Sequence, residues 1–407
     1  MAKKKKPNAL IYGIVKLLSE IVAKVIFKRK YLRNELKGKK GPAVVLGNHQ
    51  AALDFTTAIG ATREHISFVI SDSFYNTLPF GSAMDKIGVI AKQQFQTSLH
   101  EIGAMRNVIK HGGILMFYPA GLMSENGLST PIPAATYKFL AWLEADVYVA
   151  RITGSYFCTP KWSKKTRRGK TLLDVYKLID KNDLHTMHED EIQRAVDGAL
   201  LFDAYREQEQ HRIRYRGGDN VEGLQHVLYV CPHCNEEFTI RVKNKRTLYC
   251  EKCGFEHTSD AYGFLHNTGT VGEEIRYVSD WARFVSDKVQ NDIEGGKIRH
   301  LSCPATLQTI DRKKKKYKDV GRVTVTLTPT AFLLNGTVNG EETNLKISTA
   351  LFASLPFKPG ERIEIQHGKI SYRCLLDDGR LAQKFVDMVK IYYQKNRAEA
   401  QKEPSVL

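Results

Sequence analysis

Residues 44–57 read VVLGNHQAALDFTT. An apolar run stops at Gly47, and a histidine and an aspartate follow it five positions apart. The run has the length and composition of a buried strand, and the residues from about Gln50 onward suit a helix. His49 then sits at the end of a strand, with Asp54 about one turn into the helix. From there the carboxylate can hydrogen-bond one ring nitrogen, fix the tautomer and leave the other nitrogen facing a substrate, as a general base requires. With no Ser or Cys nucleophile beside the pair, it is suited to activating a substrate hydroxyl directly. The same spacing also fits a histidine that caps a turn or fills a core, and spacing alone does not separate the two readings.

The surrounding chain alternates between two textures. "PAVVLGN", "ISFVISD", "GVIAKQQF", "ILMFYPAG" and "DVYVARITGSYF" read as strands. "LHEIGAMRNVIKHGG" and "AATYKFLAWLEA" between them read as helices, the first closed by Gly112 and Gly113. Alternation of this kind predicts an α/β domain, a mixed sheet flanked by helices, with its site at the strand-to-loop edge. "HTMHEDEIQRAVDGALLFDAYREQEQ" then predicts one long helix. Farther along, "GEEIRYVSDWARFVSDKVQNDI" predicts an amphipathic helix with Ile275, Val278, Trp281, Val285, Val289 and Ile293 inward. From about residue 300, "RVTVTLTPTAFLLNG", "ETNLKIS", "RIEIQHG" and "KISYRCLL" predict a small β-rich module, capped by the terminal helix "LAQKFVDMVKIYYQ". That order resembles PH- or GRAM-like modules in architecture. The 407 residues exceed one ordinary core. The expected division is 1–40, 41–220, 224–268, 269–298 as a linker helix, and 299–396.

Charge is unevenly placed. The net charge is +17, and residues 1–40 hold thirteen Lys or Arg against Glu20 and Glu35. That segment is also apolar: Ile11, Ile14, Val15, Leu18, Ile21, Val22, Val25 and Ile26 recur at helical spacing, with Lys16, Glu20 and Lys24 on the other side. A basic amphipathic helix suits an anionic membrane surface, where each basic residue adds roughly 1 kcal/mol. No apolar run is long enough for a membrane span, and no small-residue cleavage site follows the first helix. The expectation is a peripheral protein on the cytoplasmic face of a membrane. "KWSKKTRRGK" (161–170) and "DRKKKKYKD" (311–319) are further basic runs, each either a solvated loop or a headgroup contact.

Seven cysteines in a chain this long do not make a disulfide scaffold. Cys231-x-x-Cys234 and Cys250-x-x-Cys253 are spaced as a tetrathiolate zinc ribbon, and "EEFTIRVKNKRTLY" supplies the hairpin between the two knuckles. Four thiolates close a tetrahedral site, so the zinc would be structural; His233 and His257 are alternative ligands in principle. Cys158, Cys303 and Cys374 read as buried apolar residues.

With these blocks in view, "NHQAALD" after a short strand resembles the first motif of the glycerolipid acyltransferases of the lysophosphatidic acid (1-acylglycerol-3-phosphate) type. "GVIAKQQ" (88–94), "FYPAGLMS" (117–124) and "VYVARITG" (147–154) stand where the other three motifs would be. The resemblance covers about residues 40–185, not the zinc ribbon or the β module. It implies transfer of a fatty acyl group from acyl-CoA or acyl carrier protein to a hydroxyl of a lysophospholipid-like acceptor, with 1-acyl-sn-glycerol-3-phosphate expected. His49 would deprotonate the hydroxyl, Asp54 would orient His49, and no acyl-enzyme would form. The oxyanion would be met by backbone N–H groups near Gly121. The sequence departs from the pattern where the family binds its acceptor. Gln94, Ala120 and Met123 replace Arg, Glu and Arg, and Tyr148 replaces a proline, which leaves Lys92, Gln94, Pro119, Gly121, Ser124 and Arg151 as the substrate-binding candidates. Losing bidentate arginines removes strong phosphate contacts, so either Lys92 or Arg151 substitutes or the acceptor differs. Two other readings compete: a zinc-ribbon factor binding nucleic acid or protein, and a catalytically silent lipid-binding scaffold. The charge excess lies on the apolar N-terminus rather than around the ribbon, which favours lipid over nucleic acid.

Overall fold

A computed structural model describes residues 7–77, 81–94, 98–311, 313–368 and 370–402. The lysines of residues 1–6, together with Phe95 and Arg312, lie outside the described residues. The chain divides into two compact units. The first holds Met1–Asn220 with Ser259–Leu265 and Tyr277–Ser279, and the second holds Val221–Thr258, His266–Arg276 and Asp280–Leu407.

The first unit opens with helix α1 (Ala9–Val25) and strands β1 (Lys30–Asn34) and β2 (Ala43–Gly47). It continues through α2 (Asp54–Ala58), β3 (Ile66–Ser71), α3 (Asp72–Thr77), α4 (Gly81–Lys86), β4 (Ile90–Lys92), α5 (Leu99–Lys110) and β5 (Ile114–Phe117). It ends with α6 (Ala135–Leu143), β6 (Asp146–Thr153), α7 (Ser155–Cys158), β7 (Leu172–Ile179), α8 (Lys181–Leu184), α9 (Glu189–Leu200) and α10 (Ala204–His211). The strand order is β1-β7-β6-β2-β5-β3-β4. All printed pairings are parallel except β6 with β7, so the sheet is mixed, as expected.

Strand β2 explains the apolar run. Ala43 and Val45 join one core, with Ile66, Phe68, Ile114 and Met116. Val44 and Leu46 join the other, with Met105, Tyr137, Leu140 and Val147. A strand covered on both faces has no polar side to alternate with, so it reads as a continuous apolar stretch. Its end, with those of β5 and β6, forms the carboxyl edge of the sheet, where α/β sheets place their sites.

Two expectations need correction. Strands β1 and β7 were not foreseen, because KYLRN, at the sheet edge, and LLDVYKLI, between β1 and β6, mix charges with apolar residues. The long helix over 185–210 is two, α9 and α10, broken at Leu201–Asp203, where Leu201 turns extended and Asp203 caps α10 through Tyr205 N and Arg206 N.

Helix α1 is oriented in the reverse of a helix that packs by its apolar stripe. Tyr12, Ser19 and Ala23 are buried, Lys16 Nζ donates to the Thr62 carbonyl, and Glu20 pairs with Arg29 at 2.8 Å. Arg29 also donates to Thr57 O at 2.8 Å. Gly60 lets Glu20 approach: a Cβ there would lie 1.7 Å from Glu20 Oε1. The inward side chains satisfy carbonyls at the ends of short helical turns, which an apolar side chain cannot do. Leu10, Ile14, Leu17, Leu18, Ile21 and Val25 are left exposed, Leu10 by 74% and Leu17 by 62%. Among the described residues no helix is long and apolar enough to cross a membrane.

The second unit contains the cysteine module and the β-rich region. Strands β8 (Ile240–Lys243), β9 (Thr247–Cys250), β10 (Glu256–Ser259) and β11 (Leu265–Asn267) form a sheet of order β11-β10-β9-β8. Helix α11 (Val278–Glu294) buries Trp281, Val285 and Val289, whereas Ile275 precedes the helix and Ile293 is half-buried. Trp281 stands edge-on to Phe255, and its indole N–H donates to Val230 O at 2.8 Å.

Then come β12 (Leu301–Asp311), β13 (Lys316–Leu327), β14 (Ala331–Val338), β15 (Glu341–Ser348), β16 (Phe357–Lys358), β17 (Arg362–His367) and β18 (Ile370–Leu376), followed by helix α12 (Leu381–Lys402). The order β15-β14-β13-β12-β18-β17-β16 is antiparallel in every printed pairing. The stretch expected as one strand, 322–336, is a hairpin turning at Thr328–Thr330, and β12 and β16 are additional. Cys303 and Cys374 are buried in this sheet. Replacing Trp281 with Ala should cost about 3–5 kcal/mol of stability, the usual range for deleting a buried aromatic. Denaturant unfolding of the full chain, followed by far-UV circular dichroism, measures that loss.

Candidate active site

Beyond Gly47 the chain leaves the sheet, and Asn48 extends the ladder with its side chain. The Asn48 amide donates to Ile152 O and accepts from Ile152 N, both at 2.7 Å. It acts as one more peptide group between β2 and β6. The next residue, His49, is thereby fixed at the strand end.

Asp54 is fully buried at the start of α2. Its Oδ2 accepts from Gln50 N and Ala51 N, each at 2.8 Å, and lies 3.1 Å from His49 Nδ1. The short chain from 49 to 54 folds around this oxygen, which receives donors that the turn would otherwise leave unmatched. Oδ2 accepts from both backbone N–H groups, so it faces the imidazole as an acceptor as well. Nδ1 therefore carries the proton, and Nε2 is the basic nitrogen. The His49 side chain is 19% exposed, against 0% for Asp54, so the acid is sequestered and the imidazole is reachable.

The other wall of the site comes from β5. Tyr118, the first residue beyond it, stacks on His49 with ring centroids 4.4 Å apart and planes 20° from parallel. Burial, with the Asp54 charge second, pushes its phenol well above the ordinary range. Gly47 makes room for the ring: a Cβ there would lie 2.4 Å from Tyr118 Cε1. Ser124 N donates to His49 O at 3.2 Å, and Ser124 Oγ accepts from Gly127 N at 2.9 Å, which folds the 118–127 loop under the histidine. A small cleft open to solvent results, lined by Asn48, His49, Pro119, Ala120, Thr130 and Leu201 among others.

The remaining predicted residues are placed differently. Gln94 Nε2 donates to Gly121 O at 2.9 Å. The Gly121 N–H closes a turn on Tyr118 O at 3.0 Å, so this amide is committed and does not supply the oxyanion donor expected near it. Lys92 donates to Gln93 O, and burial lowers its pKa, with Glu101 opposing. Arg151 pairs with Glu207 at 2.6 Å and donates to the carbonyls of Ala199 and Leu201. Burial raises the Glu207 carboxyl against the pull of Arg151. Met123 is half-buried and is not among the cleft residues.

Sequence reasoning missed Tyr118, Asn48 and Glu207. Tyr118 stood in plain view beside Pro119, but only the fold lays its ring on His49.

Part of this domain is similar to known proteins. Residues 26–154 match the model of the family described as Acyltransferase. The matched stretch takes in β1–β6, so this part of the chain is an acyltransferase domain. This bears out the resemblance carried by His49, Asp54 and the blocks after them. Among solved structures, the chain is similar to the 1-acyl-sn-glycerophosphate (LPA) acyltransferase PlsC from Thermotoga maritima, at 16% identity and a TM-score of 0.39, over 46% of this chain and 78% of that one. It is also similar to the Ran binding domain of the nuclear complex component Nup2 from Ashbya gossypii, at 18% identity and a TM-score of 0.19, over 24% of this chain and 97% of that one. Overlaps this slight carry no argument about function. No curated protein matches the sequence.

The thiols of Cys231, Cys234, Cys250 and Cys253 lie within 4.8 Å of one another and could hold a metal ion. Each CxxC knuckle closes the same way. Asn235 N donates to Cys231 O and Gly254 N to Cys250 O, with Asn235 at φ 60° and Gly254 at φ 75°. Asn and Gly tolerate that left-handed turn best. The hairpin between the knuckles turns at Asn244 and Lys245, both with positive φ. His257 is occupied elsewhere: its Nε2 accepts from Ile275 N at 3.0 Å, and its ring stacks on Phe255.

The Asn48 clamp is directly testable. Asn48→Ala strands a buried N–H and C=O of Ile152 and should cost about 1–3 kcal/mol. Denaturant titration of the variant against the parent chain measures it.

Proposed function

We propose that the protein moves a fatty acyl group from a thioester, acyl-CoA or acyl carrier protein, to the hydroxyl of a lysophospholipid-like acceptor at an anionic membrane surface. The observation that carries this reading is the single Asp54 oxygen that fixes His49 Nδ1 while His49 borders an open cleft. His49 Nε2 takes the proton of the acceptor hydroxyl as its oxygen attacks the thioester carbonyl. The tetrahedral intermediate collapses by breaking the C–S bond, and the departing thiolate recovers the proton from His49. No acyl-enzyme is required, because the acceptor oxygen is itself the nucleophile.

The acyltransferase match over residues 26–154 supports the reaction class. The exposed row on α1 supports the membrane surface, since its outward apolar side chains are flanked by exposed Lys24 and Lys28. The family and these two features favour a lipid enzyme over a nucleic-acid-binding factor. Its place would be the cytoplasmic face of the membrane, within phospholipid synthesis.

The four-cysteine cluster is proposed as a structural zinc site. Four thiolates leave no position for a substrate or water, so the ion would hold two knuckles together and take no part in the chemistry.

His49→Ala should abolish acyl transfer, leaving zinc content and circular dichroism unchanged. Asp54→Asn should lower kcat by about 10⁴, the scale seen when a carboxylate no longer sets a histidine tautomer. Both are read from radiolabelled acyl-CoA with a lysolipid on anionic liposomes, and full turnover by His49→Ala would sink the mechanism. Elemental analysis should give one zinc per chain, and the double variant Cys231→Ser with Cys250→Ser should lose it and unfold at lower denaturant.

A further inference from the structure

The acyl-transfer reading leaves open what stands beside the acceptor's hydroxyl. A phosphate monoester carries close to two charges at neutral pH and is ordinarily met by arginine forks, lysines or a helix N-terminus. The cleft beside His49 offers a different surface. Among the described residues lining it, none is Lys, Arg, Asp or Glu. Pro119, Ala120, Ile132, Leu200, Leu201 and Phe202 provide its apolar area, and Ser129 and Thr130 contribute hydroxyls.

The cations nearest in sequence to the site motifs are committed elsewhere. Arg151 spends its guanidinium on Glu207 and on the carbonyls of Ala199 and Leu201. Those contacts hold the chain between α9 and α10, and Leu200–Phe202 from that corner form part of the cleft wall. Arg151 thus shapes the cleft without entering it. Lys92 is held at the Gln93 carbonyl, and Glu101, the charge acting on it, is largely buried. Gln94 ties the β4 end to the Gly121 carbonyl through its neutral amide. Ala120 stands half-exposed in the lining beside His49, and its side chain carries no charge.

We infer that this cleft takes a lysolipid or acylglycerol with no phosphate monoester beside its reacting hydroxyl, so that the acceptor is uncharged or net-neutral. The inference rests on acyl transfer by His49 and adds the substrate class. A dianion entering this cleft would lose water and gain no charged partner, whereas a glycerol or a phosphodiester held at the surface loses much less.

The test uses the full chain on anionic liposomes with radiolabelled acyl-CoA and acyl carrier protein donors. Lysophosphatidate, lysophosphatidylcholine and monoacylglycerol of one chain length are offered separately. The expected result is kcat/KM for the better of the last two at least ~10-fold above lysophosphatidate, a difference worth about 1.4 kcal/mol. Lysophosphatidate as the best acceptor, with turnover abolished by His49→Ala, overturns the acceptor class and leaves acyl transfer standing. No product from any acceptor, with the donor intact, overturns acyl transfer and this inference with it. Ala120→Arg places a cation in the lining and should move the preference toward lysophosphatidate by ~10-fold or more. An unchanged preference in a folded Ala120→Arg would show that the headgroup does not sit in this cleft.

Discussion

One carboxylate oxygen organises the catalytic corner. Asp54 Oδ2 gathers the Gln50 and Ala51 amides and the His49 imidazole within 2.8–3.1 Å. The two backbone bonds build the turn, and the third aims the base, so the geometry of the loop and the chemistry of the histidine cannot vary independently. Everything else at the corner braces that turn. Asn48 pins its entry to β6, Ser124 binds the His49 carbonyl from below, and Tyr118 lies along the ring. Burial makes the arrangement stringent, because an aspartate out of water must keep its donors.

The sequence was most informative where several constraints fell on the same short stretch. VVLG had to be a doubly covered strand, and a histidine at its end followed by an aspartate had few geometries open to it. The cysteine spacing was equally telling, since two knuckles and a hairpin leave little freedom. Long-range packing was far less visible. Nothing local in KYLRN or LLDVYKLI announces two strands that pair with each other in parallel, and nothing in Arg151 reveals that Glu207, more than fifty residues away, would claim it. Tyr118 was hidden for the same reason: its partner lies on a neighbouring strand, not a neighbouring residue.

Helix α1 marks the limit of pattern reading. Apolar spacing identifies a face but not which way it points. The usual assumption that it points inward fails when a domain offers unsatisfied carbonyls rather than an apolar groove. Lys16 and Arg29 answer those carbonyls, and Glu20 holds Arg29 in place. Polar contacts fasten the helix beside Tyr12, Ile11 and Val15 on the core, and Leu10, Ile14, Leu17, Leu18 and Ile21 are turned out.

That inversion affects how the molecule behaves away from lipid. A row of large side chains from Leu10 to Val25, held rigidly in water, is as ready to meet another copy of itself as a bilayer. Because the inward contacts are already made, docking requires neither rotation nor melting of the helix. Colloidal behaviour should therefore follow the supply of amphiphile, with detergent or vesicles keeping the particles dispersed and their removal letting them cluster. The surface charge opposes that clustering only as far as salt leaves it unscreened, about 10 Å at 0.1 M ionic strength.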